Sequence, residues 1–133
     1  SPMTDVAHVL TILAVGDLGR SVRFYTALLG WPVTVEAPVY VELTHPSGMR
    51  LGLYVREGFG RNIGRTPIEV NGPELHAAEL YFRTSDPAGA SERVAALGAR
   101  VLSPLSPRDW GDEVVYLADP DGHVVALARP LSR

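Results

Sequence analysis

Val15-Gly16-Asp17-Leu18, running on through Leu28-Leu29-Gly30, returns as Thr84-Ser85-Asp86-Pro87 running on through Ala96-Leu97-Gly98, with Asp86 placed 69 positions after Asp17. Each copy reads as a strand, a capped helix and a glycine stop. Asp17 and Asp86 occupy the position where a side-chain oxygen accepts the first unbonded helical N–H groups. Pro87 suits the first helical position, and Gly30 and Gly98 suit left-handed C-terminal caps. A second echo lies further along: Thr44-His45-Pro46-Ser47-Gly48-Met49-Arg50-Leu51-Gly52-Leu53 recurs 74 positions on as Ala118-Asp119-Pro120-Asp121-Gly122-His123-Val124-Val125-Ala126-Leu127. Pro-x-Gly between two apolar runs is a tight turn joining antiparallel strands.

Working outward from these echoes, each half is expected to run strand, helix, then three strands, an α+β arrangement. The first half places strands at about Val9–Val15, Val33–Glu36, Val39–Thr44 and Arg50–Arg56, with a helix over Leu18–Leu29. The second places them at about Ala78–Thr84, Arg100–Pro104, Glu113–Ala118 and Val124–Arg129, with a helix over Pro87–Leu97. Helical spacing puts Val22, Tyr25, Leu28 and Leu29 on the buried side of the first helix, and Ala90, Val94 and Leu97 on that of the second. Between the halves, residues 57–76 hold Gly58, Gly60, Gly64, Gly72, Pro67 and Pro73, and are expected to form a long loop. The chain therefore divides into a module at about 8–56, a loop, and a module at about 77–130 within one domain.

With 133 residues the chain can bury one sizeable core but not two ordinary independent domains. A net charge of −3 gives no broad positive field for nucleic acid or an anionic membrane, so neither is expected as a partner. No apolar run approaches the roughly 20 residues of a membrane span, and no basic-then-apolar leader opens the chain, which predicts a cytoplasmic protein. The chain has no cysteine. Disulfides, thiolate nucleophiles and cysteine-held metals are thereby excluded. Gly58-Phe59-Gly60-Arg61-Asn62-Ile63-Gly64 follows a strand and lacks a following Lys-Ser/Thr, so it reads as a flexible cover rather than a phosphate loop.

Val15-x-Asp17-Leu18-x-Arg20-Ser21-x-x-Phe24-Tyr25-x-x-Leu28-Leu29-Gly30-Trp31, with Asp119-Pro120-Asp121-Gly122-His123 near the C-terminus, resembles the vicinal oxygen chelate superfamily. That superfamily includes glyoxalases, extradiol dioxygenases, fosfomycin-inactivating enzymes and bleomycin-type resistance proteins. The resemblance covers residues 8–130. It implies paired βαβββ modules whose mixed sheets curl around a cavity, commonly completed by a second chain, so a homodimer is expected. In the metal-dependent members the ligands stand on the first and last strand of each module. The resemblance carries those positions onto Leu10, Gly52, Glu79 and Ala126, of which only Glu79 can bind a cation. A catalytic divalent metal needs about three protein ligands, so no metal and no cofactor are expected. His8 shares the parity of Leu10 and offers a further ligand if it enters the cavity; a strand-edge position in solvent is its plainer reading. His76 is expected to end the loop, and His45 and His123 to stand exposed on the hairpins.

Period-two alternation describes the rest of the cavity face. Leu10, Ile12 and Ala14, then Arg50, Gly52 and Tyr54, are expected to point inward from the first module; Glu79, Tyr81 and Arg83, then Val124, Ala126 and Ala128, from the second. Leu13, Val15, Leu51, Leu53, Leu80, Phe82, Val125 and Leu127 then pack beneath the helices. Gly52, Ala126 and Ala128 are expected to leave room. Tyr54 and Tyr81 supply flat apolar surface, and Glu79 and Arg83 supply charge-assisted hydrogen bonds. Trp110 reads either as a stacking surface or as a lid over its own core; Phe59 on the loop is a second stacking candidate, while Trp31 is expected to pack on the preceding helix.

Two functions follow from these residues. The first is metal-independent binding of a bulky aromatic natural product or antibiotic, similar to the bleomycin-resistance branch, which would confer resistance by sequestration without catalysis. The second is a lyase, isomerase or dioxygenase of the same superfamily, metal-dependent or using Glu79 as general base.

Overall fold

The computed structural model describes residues 4–132. Its elements run β1 (Thr11–Val15), α1 (Leu18–Leu29), β2 (Val33–Ala37), β3 (Tyr40–Thr44), β4 (Arg50–Val55), α2 (Arg56–Ile63), β5 (Glu79–Arg83), α3 (Pro87–Val94), β6 (Arg100–Pro107), β7 (Asp112–Ala118) and β8 (Val124–Pro130). The strands form two sheets of identical plan, ordered β1-β4-β3-β2 and β5-β8-β7-β6. In each, the first strand pairs in parallel with the last and the other pairings are antiparallel.

The chain divides into two compact units. One holds the residues up to Leu18 with Trp31–Pro67; the other holds Gly19–Gly30 with Ile68 onward. Almost all of α1 therefore belongs to the unit of the second sheet, although it lies between strands of the first sheet in sequence. In the first unit Leu13, Val15, Val41, Leu43, Leu51 and Leu53 are buried, alternating along their strands as period two requires. In the second unit Val115, Leu117, Val125 and Leu127 do the same beside Phe24, Tyr25, Leu28, Ala90 and Val94 from the helices. Each fully buried side chain of this size contributes about 1.5–3 kcal/mol, so these two sets account for much of the folding drive.

The Asp86 cap and the Gly30 stop are present as expected, whereas Gly98 makes its left-handed turn beyond a helix whose C-cap is Ala95. Asp86 accepts the N–H of Gly89 at 3.0 Å. Gly30 and Gly98 adopt φ of 66° and 98°, the left-handed region that a helix stop uses. Three expectations change. The buried stripe of α1 is Ser21, Phe24, Tyr25 and Leu28 rather than Val22, Tyr25, Leu28 and Leu29. The stripe has i, i+3, i+4, i+7 spacing and takes Ser21 and Phe24 in place of Val22 and Leu29; Ser21 Oγ finds a carboxylate partner and so can be buried at little cost. The second helix stops at Val94 and reaches Gly98 through tighter turns, with Leu97 N–H on Val94 O at 2.9 Å. Most of all, residues 57–76 are not one loop.

α2 occupies the first part of that stretch. Glu57 stands in its first turn and Arg61 in its last, each complementing the helix dipole, and Gly64 closes it with φ 82° and an N–H on Gly60 O at 2.9 Å. The glycines mark close packing: a β-carbon at Gly58 would overlap the ring of Tyr54, and one at Gly60 would lie 2.8 Å from Thr66 Cα. Composition alone reads such glycines as flexibility. Phe59 accordingly sits half-buried on a helix, not on a mobile cover.

Candidate functional site

The two halves of the sequence signature meet in the second unit. Tyr25 O–H donates to Asp119 Oδ2 at 2.6 Å, Ser21 Oγ donates to Asp121 Oδ2 at 3.3 Å, and Arg20 Nη2 donates to Asp121 Oδ1 at 3.3 Å. Asp119 Oδ1 also accepts the backbone N–H groups of Asp121 and His123 at 2.8 and 2.9 Å. His123 Nδ1 lies 2.9 Å from Asp119 Oδ2, and because a carboxylate only accepts, Nδ1 carries the proton. Burial works to raise the Asp119 pKa, but the bonds from His123 and Tyr25 outweigh it and hold the carboxyl below its ordinary range. Desolvation, then the neighbouring Asp119 charge, push the Tyr25 phenol well up. Every acceptor here is spent on anchoring α1 and closing the β7–β8 turn, so this constellation is structural. His123 is thus part-buried and bonded, not an exposed hairpin residue, and His76 stacks on it with ring centres 4.5 Å apart.

The sheet faces turned away from the Leu-rich cores carry the other chemistry. On the first sheet the register sets Ile12 beside Gly52 beside Glu42, and Ala14 beside Tyr54 beside Tyr40. Glu42, with its side chain 8% exposed, accepts from Tyr40 O–H at 2.6 Å and from Arg50 Nη1 at 3.1 Å. Arg50 Nε also reaches Val9 O at 3.3 Å. Gly52 is buried because the Tyr40 ring lies over it; a β-carbon there would come within 2.9 Å of the ring carbons. Tyr54 meets Tyr40 edge to face at 5.3 Å. Desolvation and the Glu42 bond push the Tyr40 phenol far above its usual value.

On the second sheet the rows are Tyr81, Ala126, Tyr116, Ser103 and Arg83, Ala128, Val114, Ser106. Asp112, 6% exposed, accepts from Tyr81 O–H at 2.5 Å and from Arg83 Nη2 at 3.2 Å. Trp110 Nε1–H donates to Tyr81 Oη at 2.9 Å. Desolvation, then the Asp112 bond, raise the Tyr81 pKa. Arg108 lies over the Tyr116 ring at 5.0 Å and donates through Nη2 to Ser103 Oγ, Pro104 O and Val114 O. Tyr116 packs on Val114, Ala126 and Ala128, which are fully buried.

Gly52 and Ala126, expected to leave room, therefore make room for tyrosine side chains of their own unit. Of the other expected residues, Tyr81, Arg83 and Trp110 are brought together at the second sheet, and Arg50 and Tyr54 share the first sheet with Ile12, while Leu10 lies just before β1 and outside the sheet. Glu79 stands exposed at the start of the edge strand β5. Trp31 meets His45 edge to face at 5.4 Å. Sequence reading missed Tyr40, Glu42, Arg108, Asp112 and Tyr116. The signal was present: Tyr40 and Glu42 share one parity on β3, and Asp112 and Tyr116 share one on β7, but only the outer and last strands of each module were followed.

No metal centre can be built from these groups. Leu10, Gly52 and Ala126 offer no donor atom, and His8 is exposed with Nε2 on Thr11 Oγ1 at 3.0 Å. Among the described residues no three His, Cys, Asp or Glu side chains cluster to hold an ion. The positions that the resemblance assigns to a metal do not fit one.

Two βαβββ repeats, each with a β-first-parallel-to-last sheet, and an α1 clasped by an Asp-Pro-Asp-Gly-His turn define a class of paired-module proteins. The chain belongs to the Glyoxalase/Bleomycin resistance protein/Dioxygenase superfamily, whose family model matches residues 5–127. It is 30% identical over 128 residues to a lactoylglutathione lyase of Escherichia coli O157:H7, covering 88% of this chain and 87% of that one. A glyoxalase-related enzyme from Fulvimarina pelagi shares the fold with a TM-score of 0.78 at 25% identity, covering 92% of this chain and 86% of that chain. A family enzyme from Burkholderia phytofirmans PsJN matches in fold with a TM-score of 0.72 at 15% identity, covering 92% and 98%. Among the described residues no helix is long and apolar enough to cross a membrane.

Proposed function

We propose that the protein binds a bulky aromatic small molecule without metal and without changing it chemically, in the manner of the bleomycin-resistance branch, as a cytoplasmic homodimer. The observation that carries this reading is the replacement of donor side chains by Leu10, Gly52 and Ala126, alongside an exposed aromatic pair, Trp110 and Tyr81, held in place by hydrogen bonds. A pinned aromatic surface loses little entropy when a ring stacks on it, and stacking adds about 0.5–1.5 kcal/mol beyond burial. A thermal-shift screen of planar natural products tests this, since a ligand that binds only the folded state raises its stability. The expected outcome is a hit recovered unaltered by mass spectrometry, from protein that elemental analysis shows to be metal-free. Sedimentation that shows only a 14.3 kDa species would remove the dimer.

A second reading is favoured by the 30% identity to a lactoylglutathione lyase. Lactoylglutathione lyase activity that appears on adding a divalent metal and vanishes in Glu79→Ala would establish it instead.

A further inference from the structure

We infer that the open face of the second sheet selects an aromatic acid, a planar ring carrying a carboxylate or similar anion, with the ring on Trp110 and Tyr81 and the anion on Arg83. This rests on the binding function proposed above and narrows it to a ligand class.

Three observations converge on one face of β5, β7 and the turn between β6 and β7. Trp110 and Tyr81 are 55% and 41% exposed, yet their orientation is set by the chain of bonds Trp110 to Tyr81 to Asp112. Arg83 shares that anchor: one nitrogen, Nη2, holds Asp112, while the side chain is 60% exposed. A guanidinium has five N–H donors, so a carboxylate can be met by the remaining edge without breaking the bond to Asp112. Tyr81 and Arg83 point to the same face two residues apart along β5, which suits a ring with an acidic substituent attached directly or through one or two atoms.

Charge decides between an acidic and a neutral or basic ligand. The arginines on this face are Arg83 and Arg108; its carboxylates are Asp112, bonded to Arg83, and Glu79, exposed two residues before Tyr81 on β5. Arg108 is bonded to a hydroxyl, two carbonyls and a tyrosine ring, with no carboxylate among its described partners, and its Nε is buried without an acceptor. Val114, whose carbonyl Arg108 holds, lies two strand spacings, about 10 Å, from Arg83 along one row of the sheet. With no carboxylate beside it, the partly desolvated Arg108 charge favours an anion on this face and opposes the field of Glu79. On the first sheet Arg50 is held by Glu42.

Calorimetric titration of the unaltered chain with 2-naphthoate and with 2-naphthalenemethanol, equal in ring but anionic and neutral respectively, tests the inference. The acid should bind about tenfold tighter than the alcohol, the scale of one exposed charge-assisted contact. Arg83→Gln should bring the two within about twofold of each other. Because that variant leaves Asp112 with one partner fewer, the same ratio is also read on the unaltered protein in about 1 M NaCl, where the preference should shrink. Equal affinities in the unaltered chain, or a preference that survives both Arg83→Gln and high salt, overturns the anion assignment and leaves aromatic binding standing. If neither probe binds, both the aromatic function and the acid preference fall.

Discussion

The two units carry the same Pro-x-Gly turn and the same trio of tyrosine, carboxylate and arginine, and use them in opposite ways. In the first unit the turn is open: His45 Nδ1 meets only Ser47, through Oγ at 2.8 Å and the backbone N–H at 3.0 Å, while its ring edges Trp31. In the second unit the equivalent turn is sealed by Asp119 and Asp121, which take bonds from α1. The trios reverse that contrast. Tyr40 is folded down over Gly52, with Tyr54 against it and α2 against Tyr54, whereas Tyr81 and Trp110 stand out into solvent above buried Ala126. Duplicated modules thus differ: the second unit spends its turn on holding the fold together and leaves Tyr81 and Trp110 exposed.

The largest effect should come from breaking the sealed turn. Asp119→Ala strands the Tyr25 hydroxyl and two backbone N–H groups, and should destabilise by about 3–5 kcal/mol in urea titrations. Ser47→Ala in the open turn should change the same midpoint by less than about 0.5 kcal/mol. The pH dependence follows the same contrast. Since folding depresses the Asp119 pKa, its stabilisation is present above the unfolded value of 3.8 and is lost as pH falls below it. Since folding raises the Tyr25 pKa, stability is lost as pH climbs past 10.0. Asp119→Asn should flatten the acid limb and Tyr25→Phe the alkaline one, in melts collected across pH.

Next in size is the seat of Tyr40 over Gly52. Gly52→Ala forces the Tyr40 ring off its seat and should cost about 1–3 kcal/mol, an overpacking penalty that the same melts would show. A neutral outcome would mean that Tyr40 has room to swing out, and that the first face is as open as the second. Smallest in stability is the open face itself. Trp110→Ala should leave the melting temperature nearly unchanged, because the ring is mostly exposed, yet weaken an aromatic ligand by about tenfold in calorimetry. A large loss of stability there would make Trp110 a lid over its own core instead of a binding surface.

Read by itself, the sequence determined the duplicated strand-helix-three-strand plan, because caps, glycine stops and period-two alternation act over a few residues and are written locally. Asp86, Gly30 and Gly98 occupy their positions for that reason. At the four positions that the resemblance assigns to a metal, side-chain type alone leaves Leu10, Gly52 and Ala126 without a donor. Only the tertiary structure decided which half of the chain α1 serves, since Tyr25 and Asp119 are 94 residues apart and nothing local joins them. The glycines of α2 needed it as well: close approach to Tyr54 and Thr66 has no local signature. The same holds for the face chemistry, where Asp112 draws Tyr81 and Arg83 across from another strand, a register that strand pairing sets and composition cannot.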